Sequence, residues 1–240
     1  KMIRAVTPLS LDPPGQVIAS VLSKKESSGS THVVIDIPYG EGAKVESLSA
    51  ARELAEDFTR VGEHVGMAVE CAITRGDDPI GRGIGPALEA RDVLRVLEGE
   101  GPQDLRVKSL RIAETLLDIC DVDADAAAIL DSGQALERFR DIVDAQDGDP
   151  DVTPADLDPG EETAVVESQR EGVVTHVNNR LVNGIARRAG SPKDHGAGIY
   201  FHRQVGDAVD AGEDLYTIYA ENAEKLAEAV AFQERESAVR

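Results

Sequence analysis

THVVIDIPYGEGAKVESLSAARELAEDFTRVGEHVGMAVECAIT, residues 31 to 74, is the stretch from which the fold of this chain can be read. It opens on THVVIDIP, a short continuous β-branched run of the kind that forms a strand covered on both faces. Pro38 and the glycines of PYGEGAK end that strand in a tight loop that delivers Lys44. From 46 to 62, Leu48, Ala51, Leu54, Ala55, Phe58 and Val61 recur at helical spacing, with Arg and Glu on the other side. HVGMAVECAIT reads as a second buried strand. Strand, loop, helix, strand predicts a parallel βαβ unit with a right-handed crossover. The glycine loop then lies at a strand's carboxyl end, where ligands gather in open α/β sheets.

Upstream, residues 1–12 show no clear period, but GQVIASVLSKKESSG places Val17, Ile18, Val21 and Leu22 on one helical stripe. Ser20 and Lys24 lie together one turn apart on that helix, and Gly29 is its expected stop. Asp12 stands between Leu11 and Pro13-Pro14, and two roles are open to it. A partly desolvated carboxyl holds its proton near neutrality, as a general acid must. The same side chain also suits an N-cap, with the prolines in the first helical turn. Lys44 suits a nucleotide or phosphate group equally as it suits solvent.

Downstream, RGDDPIGRGIGPALEARDVLRVLEG gives a glycine-rich loop opening a helix through Pro86. Residues 103–145 read as helical throughout, broken near Asp121 and Gly133. DAQDGDPDVTPADLDPGEE, 144–162, lacks apolar periodicity and reads as a linker or exposed loop. Beyond it, TAVVESQREGVVTHVNN predicts two strands, NNRLVNGIARRAG a short helix, and GIYFHRQVGDAVDAGEDLYTIYAE two strands around a turn. A last helix is predicted from about Asn222 to Arg235.

The 240 residues carry 45 Asp and Glu against 25 Lys and Arg, a formal charge of −20, and only seven of the basic residues are Lys. An acidic, lysine-poor surface around ordinary cores fits adaptation to high salt, where carboxylates hold water and self-repulsion is screened. No basic stripe is present to release counterions, so nucleic acid is not an expected partner. No apolar run approaches a membrane span and there is no signal-peptide pattern; the expected compartment is the cytosol, with no membrane partner. Cys71 and Cys120 sit inside apolar stretches and are expected to be buried structural thiols. The five histidines show no ligand spacing, so no metal site is expected. GRGIG lacks the G-x-G-x-x-G spacing of a dinucleotide loop and is better read as closing a helix against a sheet. VGDAVDAGEDLYTI has the turn grammar of a lipoyl or biotinyl module but no lysine in the turn, which leaves a small sandwich-like β piece.

LSLDPPGQVIASVLSKK, followed by a strand and IPYGEGAK, resembles the thymidine phosphorylase family of nucleoside phosphorylases, in its archaeal AMP phosphorylase branch. The pyrimidine enzymes carry an Arg, then an Asp-Ser-Ile-Pro segment, then Ala-Ser with Lys-Lys four and five residues on. Arg4, Asp12, Ala19-Ser20 and Lys24-Lys25 stand here in that order, with an extra residue between Arg4 and Asp12. GPALEARDVL resembles the family's Gly-Asn-Ala-Leu-Glu helix start, and GVVTHVN through DLYTIYA its C-terminal domain. Pro-Pro-Gly after the Asp, and Pro-Tyr-Gly-Glu-Gly-Ala-Lys where the pyrimidine enzymes read Lys-x-Gly-Ser-Gly-Ala, is similar to the AMP branch.

The resemblance implies reversible phosphorolysis of a nucleoside 5′-monophosphate: AMP and inorganic phosphate give adenine and ribose 1,5-bisphosphate. No cofactor is implied beyond phosphate as co-substrate. By position Asp12 becomes the proton donor, Ser20 and Lys44 the nucleotide contacts, and Arg4 and Lys24 the base-gripping pair. The family's upstream Lys/Ser/Thr and glycine-rich phosphate segment has no match here. The sequence is therefore expected to be the C-terminal part of a longer, homo-oligomeric enzyme, with an incomplete active site by itself. The expected fold class is α/β: a parallel or mixed sheet flanked by helices, a smaller C-terminal α+β domain and an N-terminal helical remnant. The boundaries that follow are 1–28 for the remnant carrying nucleotide contacts, 29–146 for the central α/β domain, 147–163 for the linker and 164–240 for the C-terminal domain. A thymidine phosphorylase and a non-catalytic nucleotide-binding or interaction module are the competing expectations.

Overall fold

The computed structural model describes residues 14–240. They form two compact units, one from the described residues through Gly76 with Arg111–Ala124, the other from Asp77–Leu110 with Asp125–Arg240.

The first unit contains helix α1 (Pro14–Ser27), strand β1 (His32–Tyr39), helix α2 (Leu48–His64) and strand β2 (Ala68–Arg75). β1 and β2 pair in parallel, from His32 opposite Ala68 to Tyr39 opposite Arg75, as the βαβ pattern predicts. Ser47 caps α2 by accepting from the Ala50 N–H at 3.2 Å. Alternate residues of β1 share a face. Val33 and Ile37 are buried against Ile18 and Leu22 of α1 and Ala51 and Phe58 of α2. Phe58 is 2 % exposed, and its burial contributes about 2–3 kcal/mol. The opposite face is less covered than the run of β-branched residues suggests, since Val34 and Asp36 are only half-buried.

The second unit is organised by a four-stranded antiparallel sheet of order β3-β6-β8-β4. Its strands are β3 (Gly83–Ile84), β4 (Glu162–Glu167), β6 (Gly198–Phe201) and β8 (Asp214–Ala220). A ribbon of β5 (Gly172–Val173) and β7 (Ala208–Val209) accompanies it. Its core joins Val182 and Ile185 of helix α7 (Asn179–Ala189), Ile199 and Phe201, Tyr216 and Ile218, and Ala229 of helix α8 (Ala223–Gln233). Helix α3 (Pro86–Leu97) follows β3 directly. The helical stretch resolves into α4 (Gln103–Ile119), α5 (Ala126–Asp131) and α6 (Gln134–Ala145). It breaks where expected: Asp121 and Gly133 take positive φ, 52° and 83°.

Two expectations are corrected. The RGDDPIGRGIG loop closes α3 against a sheet, but that sheet is the antiparallel one made with residues 162–220. Gly83 pairs with Tyr200 and Ile84 with Ile199, and a two-residue strand carries no period to read. Cys120 is exposed rather than buried, because α4 has no fully buried residue and Cys120 lies just past its end. Cys71 is half-buried, donates its thiol to the Ala55 carbonyl at 3.7 Å, and is pushed by burial up to about 11.

Candidate functional site

Parallel pairing brings the carboxyl ends of β1 and β2 side by side, and the chain leaves β1 there through Gly40–Lys44. The loop folds back on its own strand. The Gly40 N–H donates to the Val45 carbonyl at 3.0 Å, Ala43 N–H to the Gly40 carbonyl at 3.1 Å, and Tyr39 bridges Val45 in parallel. Gly42 takes φ 83°, a conformation that side chains other than glycine adopt at a cost. Lys44 therefore emerges, exposed, one residue before the chain rejoins the strand end.

The end of β2 locks this arrangement. The Gly76 N–H donates to the Tyr39 carbonyl at 2.8 Å. A Cβ at Gly76 would stand 3.0 Å from the Pro38 Cβ and 3.5 Å from the Ala43 Cβ, so a larger residue there would press on the end of β1. Thr74, 8 % exposed, donates its hydroxyl to Asp36 Oδ1 at 2.7 Å. Neither Asp36 nor Thr74 is a sequence-derived site residue. The available signal was a single carboxylate inside an otherwise continuous apolar strand, which requires a partner when partly buried.

Ser20 is half-buried and Lys24 exposed on α1, one turn apart as expected. Lys24 and Lys25 occupy the last turn, where the helix dipole favours cations. Val17, one turn before Ser20, and Val21 pack against the same core cluster as Tyr39 and Val45. The helix that carries Ser20 and Lys24 and the loop that carries Lys44 thus pack on one hydrophobic cluster. Arg4 and Asp12 lie outside the described residues.

The second unit holds a cavity of about 240 Å³, lined by residues that include Asp78, Asp104, Phe201, Arg203 and Gln204. Its polar groups are engaged within the unit. Asp78 accepts from Val177 N–H at 3.2 Å, Arg203 pairs with Glu213 at 3.1 Å, and Asp104 accepts from Gly81 N–H at 3.0 Å and from Gln204. Among the described residues no group of three or more His, Cys, Asp or Glu side chains could hold a metal ion. No helix among them is long and apolar enough to cross a membrane.

Residues 173–238 match the pyrimidine nucleoside phosphorylase C-terminal domain. The chain is 61 % identical over 232 residues to an AMP phosphorylase of Natronomonas pharaonis, covering 94 % of this chain and 46 % of that protein. It is 48 % identical over 235 residues to AMP phosphorylase 1 of Archaeoglobus fulgidus, covering 96 % and 47 %. To the AMP phosphorylase of Pyrococcus furiosus it is 44 % identical over 241 residues, covering 98 % and 48 %. The chain spans about half the length of the curated relatives it matches.

Proposed function

We propose that this chain is part of an AMP phosphorylase, a pentosyltransferase that cleaves nucleoside 5′-monophosphates with inorganic phosphate. The observation that carries this reading is similarity along nearly the whole chain to proteins of that name, at up to 61 % identity. In the reaction an oxygen of phosphate bonds to C1′ of the ribose as the bond from C1′ to the base nitrogen breaks. The electron pair leaves with the base, and a proton delivered to the base neutralises it. Asp12 is the proposed donor, a step worth about a hundred- to ten-thousandfold in rate. Ser20 and Lys44 contact the nucleotide, while Arg4 and Lys24 hold the base. What supports this assignment is that Lys44 is exposed on the strand-end loop, one residue before Val45, which packs on the same cluster as Val17 and Val21 of α1. The residues that grip the attacking phosphate are not among these assignments. The reaction uses phosphate as co-substrate and no other cofactor.

The domain match favours a second reading, a pyrimidine nucleoside phosphorylase acting on thymidine. Assay of the protein produced from its native reading frame separates the two. Phosphate-dependent release of adenine from AMP is expected, and thymidine turnover without AMP turnover would overturn the assignment. The proposed setting is a cytoplasm of high salt, consistent with a charge of −20 and with the haloarchaeal relative, and the proposed assembly is a homo-oligomer.

A further inference from the structure

We propose that Tyr39 is a specificity-determining substrate contact, its ring forming the apolar wall against which the nucleotide lies. The proposal rests on the phosphorylase reading and adds to it a residue of a kind that reading lacks. Every contact assigned so far is charged or hydroxylic: Asp12, Arg4, Ser20, Lys24 and Lys44. A nucleoside monophosphate also presents a flat base and the apolar face of a ribose, and proteins hold such surfaces with aromatic rings.

The sequence offers the first unit two benzene rings, Phe58 and Tyr39. Phe58 is 2 % exposed and committed to the core. Tyr39 is only half-buried, so it is not wholly committed to the core. Its placement is over-determined. It is the last residue of β1, at the carboxyl end of the parallel pair, opposite Arg75. Its carbonyl accepts from Gly76 N–H at 2.8 Å and its backbone bridges Val45. The ring packs on the cluster that also takes Val17 and Val21 from α1 and Val45 from the loop. It therefore shares one cluster with the helix that carries Ser20 and Lys24 and with the loop that carries Lys44. A ring at that strand end orients a flat ligand while polar groups of the helix and the loop read its edges and its phosphate.

A purely structural tyrosine would pack equally well as any large apolar residue, which gives the test. In the protein from its native reading frame, Tyr39→Leu keeps the apolar contact and removes the flat face. We expect its KM for AMP to rise about 5- to 100-fold. Its KM for inorganic phosphate and its melting temperature should stay within twofold and about three degrees of wild type, and Tyr39→Phe should keep the wild-type KM for AMP. A Tyr39→Leu enzyme with unchanged KM for AMP overturns the inference, as does one whose two KM values and melting temperature fall off together. A second measurement needs no folded variant: in the wild-type protein, saturating AMP should protect Tyr39 from nitration by tetranitromethane, and phosphate alone should not. Unchanged nitration in the presence of AMP overturns the inference as well. A wild-type protein inert towards every nucleotide tested would overturn the phosphorylase reading itself, a result distinct from an active enzyme indifferent to Tyr39.

Discussion

Thr74 donates its hydroxyl to the Asp36 carboxylate at 2.7 Å, a bond between residues 38 apart that ties β2 to β1 near their carboxyl ends. Thr74 is 8 % exposed, so water cannot readily replace it. Thr74→Val keeps the shape and deletes the donor, and is expected to lower the stability of the first unit by about 1–3 kcal/mol. Thr74→Ser should recover most of that loss. Urea unfolding of the three proteins checks it, and a valine variant as stable as wild type would reduce the contact to an incidental one.

Asp12→Asn tests the proposed donor. An amide cannot give up a proton to the departing base, so kcat should fall by about a hundred- to ten-thousandfold while AMP still binds. Turnover close to wild type would return Asp12 to the role of helix cap.

Asp92 is 2 % exposed, and its Oδ2 accepts from the N–H groups of Arg82 at 2.7 Å and Gly83 at 2.8 Å. Those two bonds hold the start of β3 in position to pair with β6. Asp92→Ala leaves the buried Gly83 N–H and the part-buried Arg82 N–H without this partner, and a cost of about 1–3 kcal/mol is expected. Hydrogen exchange should locate the loss at residues 82–84 and 199–201; an unchanged melting temperature would reject this account.

The alkaline limit of stability follows from two groups. Burial raises the Cys71 thiol from 9.0 to about 11, and burial raises the Tyr216 hydroxyl, which has no hydrogen-bond partner among the described residues, from 10.0 to about 12. Each group holds its proton more tightly folded than unfolded. Its contribution is complete below the unfolded value and is lost as pH rises towards the folded one. Stability should therefore decline between about pH 9 and 12, and less steeply in a Cys71→Ala, Tyr216→Phe double variant. At pH 8, a maleimide should label exposed Cys120 well before Cys71, as read by mass spectrometry.

The charge of −20 predicts a salt requirement. Self-repulsion among the 45 carboxylates is screened within about 3 Å at 1 M salt but only over about 10 Å at 0.1 M. Unfolding followed against potassium chloride should show stability rising towards molar concentrations. A fold indifferent to the removal of salt would count against adaptation to brine.

Much of the first unit was legible because its signals are local. The β-branched run at Val33–Ile37, the helical spacing from Leu48 to Val61 and the break at Pro38–Gly42 each depend on residues within one or two turns of each other. Parallel pairing followed from their order. Ser20 and Lys24 could be placed on one helical face for the same reason. Cys120 was misread because an apolar stretch shows that a helix has an apolar face, not whether anything covers it.

The sequence by itself determined the order and type of the main elements, the strand-end loop bearing Lys44, the charge, and the resemblance that names a chemistry. Tertiary structure alone decided that Gly83–Ile84 is a strand of the sheet formed by residues 162–220, that Thr74 meets Asp36, and that Tyr39 is half-buried on the cluster that α1 and the loop also cover. The physical reason is common to all three. Periodicity and propensity arise from neighbours along the chain, whereas a ladder pairing across more than a hundred residues, a buried hydroxyl donor and a ring's exposure are set by what folding brings alongside.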